Sequence, residues 1–534
     1  MTVKQKDMMT ANQYEMIELI FHGPAPKQNE AQVDFGAIFE QDSSTVKING
    51  FYAGEGVYKL RYFPEKAGIC SYRTWGVTEQ KGQIEILPDQ EGRRGIVRAV
   101  GTHFEDESGG MFHPFGTTVY AMIHQKQELI EKTYHTLTEA PFNKIRICVF
   151  PKHFAYNENE PEIFPFEKND GEWNPQKPCY RFWDALDKHV ARLGEMGIEV
   201  DLVLFHPYDC WGLARMPQEK NLVYLDYAIR RFAAYPNIWW NLANEYEVSG
   251  AKTLEDWHEL ESYIAEHDPW NHLLSCHNIG NLYDPSRENI THISAQTKLF
   301  TRIDTWRKRY RKPVIIDECL YEGNLKELWG CISGREMVRR FWRTVISGGY
   351  CTHAETFYDS EDIIWWAKGG ILKGESTERI RFCREIIEHL PGHIHRECGV
   401  EDKMLELAGK SVEEIDEIVQ EKQNGDDVER AAQRNILRSF GSLGEEAILL
   451  ASEDYEYKGC IADKCFLHYH NFRTPAKDEF NLPDDKQYRI RVIDTWEMTD
   501  TVVKEGVSGK TMIDLPGRED MLVLAEQISA KKQN

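Results

Sequence analysis

Hydrophobic and polar positions change rhythm twice along this chain. From about Tyr14 to Leu87 short apolar runs alternate with turn residues. The run at 15–21 stops at Gly23-Pro24, and Tyr58, Leu60 and Tyr62 alternate with Val57, Lys59 and Arg61 before a turn at 64–68 and a return through Ile69 to Trp75. Short strands punctuated by Gly and Pro predict a small β-sandwich. A bridge over 97–111, with a hairpin tip at Gly109-Gly110, leads into a different texture. From His113 strand-length apolar runs alternate with amphipathic segments such as 182–196, where Phe182, Leu186, His189, Val190 and Leu193 recur at helical spacing. Such alternation predicts a parallel sheet with crossover helices. Candidate strands at 114–120, 144–150, 199–205, 237–243, 273–277, 292–296, 313–317 and 348–357 predict a (β/α)8 TIM barrel. Beyond Leu390-Pro391-Gly392 the charged stretch 401–433 reads as a solvated helix or insertion. Strands then return at 446–452, 465–472, 487–494, 510–515 and 521–526. The predicted order is an N-terminal β-sandwich (1–95), a central (β/α)8 barrel (96–395), a charged linker (396–434) and a C-terminal β-sandwich (435–534).

In such a barrel the chemistry sits at the C-terminal ends of the strands. Two stretches deliver carboxylates there. NIWWNLANEYEV (237–248) opens as a buried parallel strand and closes on Asn244-Glu245; PVIIDECLYEG (313–323) is a second strand closing on Asp317-Glu318. Two carboxylates on separate strand ends are what retaining glycoside hydrolysis needs, one to protonate the leaving oxygen and one to attack the anomeric carbon, with carboxyls about 5–5.5 Å apart. The pattern resembles the clan A glycoside hydrolases, in which an Asn-Glu pair ends barrel strand four and a second glutamate ends strand seven. The resemblance implies Glu245 as acid/base, Glu318 as nucleophile and Asn244 as the partner of the sugar 2-hydroxyl. It also implies that Arg146, in NKIRICVF, lies beside the nucleophile, where a cation keeps a carboxylate ionised.

Three further stretches resemble bacterial relatives of the apiosidase-like and family five-like glycosidases. GVYKLRYFPEKAGICSYRTWG is similar to the sandwich preceding their barrel, and RVIDTWEMTDTV with LPGREDM to their C-terminal domain. CTHAETFYDSEDIIWWAKGGILKGESTERIRF is similar to their eighth strand and its loop, which implies His353 and Glu355 as rim residues contacting substrate. Of the pair Trp365-Trp366, one is expected in the core and Trp366 in the site, as an aromatic floor for the sugar. Trp211, in DCWGLAR, is a candidate for stacking on the aglycone side.

His206 and His277 end strands three and five and are either sugar contacts or hydrogen-bonded structural residues. Gln296 ends strand six, where the clan often carries an aromatic hydroxyl; that role is left without an owner. Neither His206 nor His277 stands in an HxH or HExxH spacing, so neither a metal nor another cofactor is expected.

Composition narrows the partners. With 534 residues and 41% hydrophobic content the chain can bury several cores, and a net charge of −23 excludes the basic face that nucleic acid or an anionic membrane requires. The N-terminus lacks an apolar signal core and no stretch approaches a membrane span. Twelve cysteines are scattered with no CxxC, as in reduced thiols of a cytoplasmic protein. The expected partner is a carbohydrate substrate; a homo-oligomer is allowed but not required. The reading is a retaining exo-glycosidase acting on small oligosaccharides or plant-derived glycosides. The alternatives are a non-catalytic carbohydrate-binding barrel and a metal-assisted hydrolase at His206 and His277.

Overall fold

Eight parallel strands carry the barrel, and each falls on one of the apolar runs of the sequence: β1 (Phe115–Thr118), β2 (Lys144–Cys148), β3 (Glu199–Phe205), β4 (Ile238–Ala243), β5 (Leu274–Ser275), β6 (Ile293–Gln296), β7 (Val314–Glu318) and β8 (Tyr350–His353). The computed structural model describes residues 9–397, 443–453 and 457–528, with isolated positions between 405 and 439. Most of the charged stretch 401–433 lies outside the described residues. The strands neighbour one another in the order β5-β4-β3-β2-β1-β8-β7-β6, a nearly closed cylinder. At the seam between β5 and β6 the Thr291 hydroxyl accepts from Leu274 N at 2.9 Å, and Thr291 N donates to Leu274 O at 2.9 Å. A side chain thus replaces part of a ladder that β5 is too short to make.

The interior is layered. At its base Phe104, from the predicted hairpin, packs on Trp239 and His292 at 5.1 and 5.5 Å between ring centroids. Above it lies a charged layer. Lys144 Nζ meets Asp201 Oδ2 at 2.7 Å and Asp317 Oδ1 at 2.8 Å, all three side chains being buried. Ser294 and Thr352 donate to the two Asp317 oxygens at 2.6 and 2.8 Å. Burial opposes this charge, but Lys144 and Arg146 hold the Asp317 carboxyl far below its usual range. The active-site layer rests directly on these groups.

Helices α1 (Gln127–Glu139), α2 (Tyr180–Glu195), α3 (Gln218–Phe232) and α4 (Leu254–His267) cross between the early strands. α2 covers the predicted segment, and Phe182, Leu186, Val190 and Leu193 are buried along one stripe. α4 begins at a capping box between Thr253 and Asp256, which satisfies amides left open at a helix start.

By backbone proximity the chain forms two compact units: Met1–Gln296, Lys312–Ile332 and Thr352–Gly374, and Thr297–Arg311, Ser333–Cys351 and Glu375–Asn534. In the first unit the N-terminal strands make a five-stranded and a three-stranded sheet. Their facing side chains share a core in which the Phe39 and Tyr62 rings stack at 4.3 Å. Between the inward Leu60 and Tyr62, Arg61 faces the barrel helices and grips Asp187 of α2 with both terminal nitrogens at 2.7 and 2.9 Å; Arg231 of α3 holds the same carboxylate at 2.9 Å.

The second unit holds a six-stranded sheet ordered His395–Arg396, Tyr457–Ile461, Cys465–His470, Met521–Ile528, Gln487–Asp494 and Thr499–Val507, and the pair Lys477–Leu482 with Gly509–Asp514. Four of the five strands expected here are present. The fifth, 446–452, is instead the helix Glu445–Ser452. Its Ile448-Leu449-Leu450 run has the apolarity of a strand. Two acidic residues in the first turn, complementing the helix dipole, and a composition of Glu, Ala and Leu favour the helix. No described helix is long and apolar enough to cross a membrane.

The charged layer makes a stability prediction. Lys144→Met preserves bulk but leaves two buried carboxylates without their shared cation, which should cost about 3–5 kcal/mol. Urea unfolding of the variant against the parent checks it; a loss below about 1 kcal/mol would show that the layer does not depend on Lys144.

Candidate active site

Two local irregularities aim the acids. On β4 the ladder to β3 pairs Val203 with Asn241 and Phe205 with Ala243, and ends there. Asn244 N still bonds Phe205 O at 2.9 Å, after which Glu245 turns left-handed at φ 52°, ψ 58°. A non-glycine residue held there stores about 1–3 kcal/mol of strain. The turn lets Asn244 and Glu245, adjacent in sequence, both serve the same rim. On β7 the equivalent device is a bulge: Ala295 pairs with Ile316 and Gln296 with Glu318, leaving Asp317 as an extra residue. Asp317 drops into the charged layer and Glu318 is free to face the site.

Both carboxyls are nearly buried, at 5% and 7% exposure. Glu245 Oε2 accepts from the Tyr208 hydroxyl. With its amide nitrogen turned toward the acid, the orientation that satisfies both ends of the side chain, Gln296 donates to Glu245 Oε1 at 3.0 Å. Burial, and then the charge on Glu318, push the Glu245 carboxyl up to about 7.

Glu318 lives in a different field. Its Oε1 accepts from the Tyr120 hydroxyl and lies 3.7 Å from Arg146 Nη1. Tyr120 in turn accepts from Arg146 Nη1 at 3.3 Å and lies 2.7 Å from Asn244 Oδ1, which also accepts from Arg146 Nη2 at 3.2 Å. Burial raises the Glu318 carboxyl, but His277, Arg146, the Tyr120 hydroxyl and Lys152 outweigh it and hold the group below its usual range. Burial and the Arg146 charge keep His277 neutral down to about pH 3. Near neutrality the anion therefore depends on Arg146, Tyr120 and Lys152.

The structure gathers most of the residues proposed from sequence. Asn244, Arg146 and Gln296 touch the acids or the groups that hold them, and His277 is buried in the field of Glu318. His206 is buried at the end of β3, its Nε2 on Phe150 O at 3.1 Å. Of the paired tryptophans, Trp365 donates from Nε1 to Thr117 Oγ1 at 2.8 Å. Trp366 packs with Tyr120, Tyr321 and Trp329, its Nε1 buried without a partner.

Three candidates are placed elsewhere. Trp211 donates to Glu160 Oε2 at 2.8 Å and packs on His153 and Phe164, one layer out from Tyr208. His353 and Glu355 are buried with Glu322 and touch neither acid. The reason is strand parity: Thr352 faces Asp317 inside the barrel, so His353 faces outward, beside Thr117. Glu322, His353 and Glu355 are also the residues of the barrel unit whose ligating atoms lie mutually within 4.8 Å; neither His206 nor His277 is among them.

Four site residues escaped the sequence reading. Tyr120 and Tyr208 follow strand ends and carry the hydroxyls on the two acids, Tyr120 on Glu318 and Tyr208 on Glu245. Burial, and then the facing Glu318 carboxylate, raise the Tyr321 phenol well above its usual range. Lys152 Nζ lies 3.7, 4.5 and 4.6 Å from the ring centroids of Tyr120, Tyr208 and Trp366. The strand-end position that singled out Glu245 would also have found Tyr120.

This arrangement can hold one carboxyl protonated and another ionised at the same rim near neutral pH. A family model described as the apiosidase-like catalytic domain matches residues 99–390. Domains of unknown function match residues 10–75 (DUF5060) and 454–524 (DUF5605). No curated protein matches the chain. Among solved structures, a candidate glycoside hydrolase from Bacteroides vulgatus is 29% identical, with 98% of this chain and 100% of that one covered at a TM-score of 0.82. A glycoside hydrolase family 5 structure from Bacteroides vulgatus, 15% identical over 81% of this chain and 94% of its own, shares the fold at a TM-score of 0.57. The match over 99–390 spans more than half of the chain and contains Glu245 and Glu318, and the protein belongs to the apiosidase-like family.

Proposed function

We propose that the protein is a retaining exo-glycoside hydrolase acting on small oligosaccharides or plant-derived glycosides, with residues 96–395 as its catalytic domain. Glu318 attacks the anomeric carbon as the glycosidic C–O bond breaks, and Glu245 gives its proton to the departing oxygen. Glu245 then takes a proton from water, the water oxygen bonds the anomeric carbon, and Glu318 leaves as the carboxylate. The observation that carries this reading is geometric: two buried carboxyls stand at one rim, Glu245 against Tyr208 and Gln296 and Glu318 against Tyr120 and Arg146, surroundings that favour the proton on the first and the anion on the second. An inverting enzyme also needs an acid and a base. The tight embrace of Glu318 by Tyr120 and Arg146 favours a nucleophile over a base that activates a distant water.

Other side chains take their parts from position. Asn244 would meet the 2-hydroxyl, an interaction that strengthens as positive charge grows on the sugar ring. Arg146 and Tyr120 keep Glu318 ionised and oriented, and Gln296 and Tyr208 orient Glu245. Trp366 would form the floor under the bound sugar.

Two measurements test the assignment. Glu318→Ala should lower turnover of an activated nitrophenyl glycoside by roughly four to six orders of magnitude. Azide or formate should then restore part of it, with inverted product; hydrolysis at the parental rate would remove Glu318 from the mechanism. The second is the pH profile of kcat/KM. Because Glu245 must be protonated to act, activity should fall tenfold per unit above about pH 7. Glu245→Gln should abolish that basic limb on substrates with good leaving groups, whereas a rate still climbing between pH 7 and 9 would contradict the acid role.

A further inference from the structure

A second polar group is buried outside the barrel interior, and the proposed reaction has no use for it. Immediately past β7 the short strand Glu322–Gly323 pairs in parallel with Glu355–Thr356, with Glu322 directly opposite Glu355. Each is 1% exposed. Two acids facing each other across a ladder repel, and burial removes the water that would soften the repulsion.

The third member is His353, two residues before Glu355 and wholly buried. Its ring stacks on Phe142 at 4.8 Å and its Nδ1 lies 3.4 Å from Thr117 Oγ1, which fixes the direction of the other nitrogen. That nitrogen, Nε2, has no hydrogen-bond partner and lies 3.8 Å from Glu355 Oε1. The gap is too long for a hydrogen bond. It is close to the separation of about 3.4 Å that two ligands span on one tetrahedral ion with bonds of about 2.1 Å. Space among the three is held open by Gly374, where a Cβ would come within 2.5 Å of both Glu322 Oε2 and Glu355 Oε1. The amides of Lys373 and Gly374 donate to Glu355 Oε2 and Oε1 at 2.7 and 2.9 Å and fix the carboxylate in place.

We propose that Glu322, His353 and Glu355 bind a divalent transition ion of the zinc or manganese class. Two carboxylates cancel the charge of a dication, so the occupied site is neutral. One imidazole nitrogen with two carboxylate oxygens suits a borderline ion better than calcium or magnesium. These three fall under no HxH or HExxH spacing, because the site has one imidazole and its third ligand comes from another strand. The ion faces away from the sugar site and its task is mechanical. It ties the segment after β7 to the segment after β8. Tyr321, next to Glu322, faces Glu318 and packs on Trp366, so the clamp holds one wall of the active site.

The full-length protein, purified without chelator, should carry close to one zinc or manganese per chain by elemental mass spectrometry. Stripping the ion should lower the unfolding midpoint by about 5 °C or more, and Zn2+ or Mn2+ should restore it. Glu355→Gln and Gly374→Ala should each abolish the response to added ion; if either fails to fold, the measurements on the parent decide. Stripped protein indifferent to Zn2+, Mn2+ and Ca2+, with no metal in the purified sample, would overturn the proposal in favour of two acids sharing a proton. A response to Ca2+ alone would overturn the class of ion. None of these readouts requires turnover, so they stand apart from the glycosidase assignment.

Discussion

The ion pairs that β2 makes with β3 and, across the barrel, with β7 constrain everything above them. Lys144 and Arg146 rise from one strand, separated by one residue, and both point into the barrel toward Asp201 and Asp317. Burying such charges costs several kcal/mol for each ion, an expense offset only where partners and hydrogen bonds are in place. Lys144 is consumed by the two aspartates. Arg146 sits one layer higher and reaches them only at 3.4 and 3.9 Å, which leaves its terminal nitrogens for Tyr120, Asn244 and Glu318. The lower layer thereby anchors the cation that the upper layer uses.

Charge counting at this depth explains why the two glutamates differ. Lys144, Arg146 and Lys152 oppose Asp201, Asp317 and Glu318, and the balance closes without Glu245. Burial first, and then the field of Glu318, keep the proton on Glu245 until about pH 7 against the pull of Lys152 and Arg146. The backbone cooperates. The bulge at Asp317 lets consecutive acids serve two layers, and the left-handed turn at Glu245 lets consecutive polar residues serve one rim. Both irregularities fall at the ends of strands, where interrupting the ladder is least costly.

The framework was legible because parallel strands buried on both faces write themselves as apolar runs, and all eight runs became barrel strands. The same rule misfired at 446–452, where three aliphatic residues in a row say nothing about period and the flanking Glu and Ala chose the helix. The site was legible where chemistry and strand end coincided, as at Asn244-Glu245 and Glu318. It was illegible where parity mattered. His353 and Glu355 share a strand end with the inward Thr352 but face the other way, and no composition rule reveals the phase of an isolated four-residue strand. Tyr120 was hidden because a tyrosine in an apolar run is read as core, and Tyr208 and Tyr321 because they stand in loops just past their strand ends, although a buried hydroxyl needs a partner.

Lys152 shows how an electrostatic contribution can be strong without being specific. Its ammonium is buried, burial lowers its proton affinity, and its nearest neighbours are the faces of Tyr120, Tyr208 and Trp366. Had the same charge been paired directly with Glu245, that carboxyl would have ionised and lost its use as an acid. Had it been paired only with Glu318, that carboxylate would have gained one more direct contact and Glu245 would have lost the cation's field. Seated on π faces, the cation acts on both acids through space, favouring the anion at Glu318 while the mutual repulsion of the pair still decides where the remaining proton resides. The aromatic walls therefore also seat a charge that belongs to neither acid.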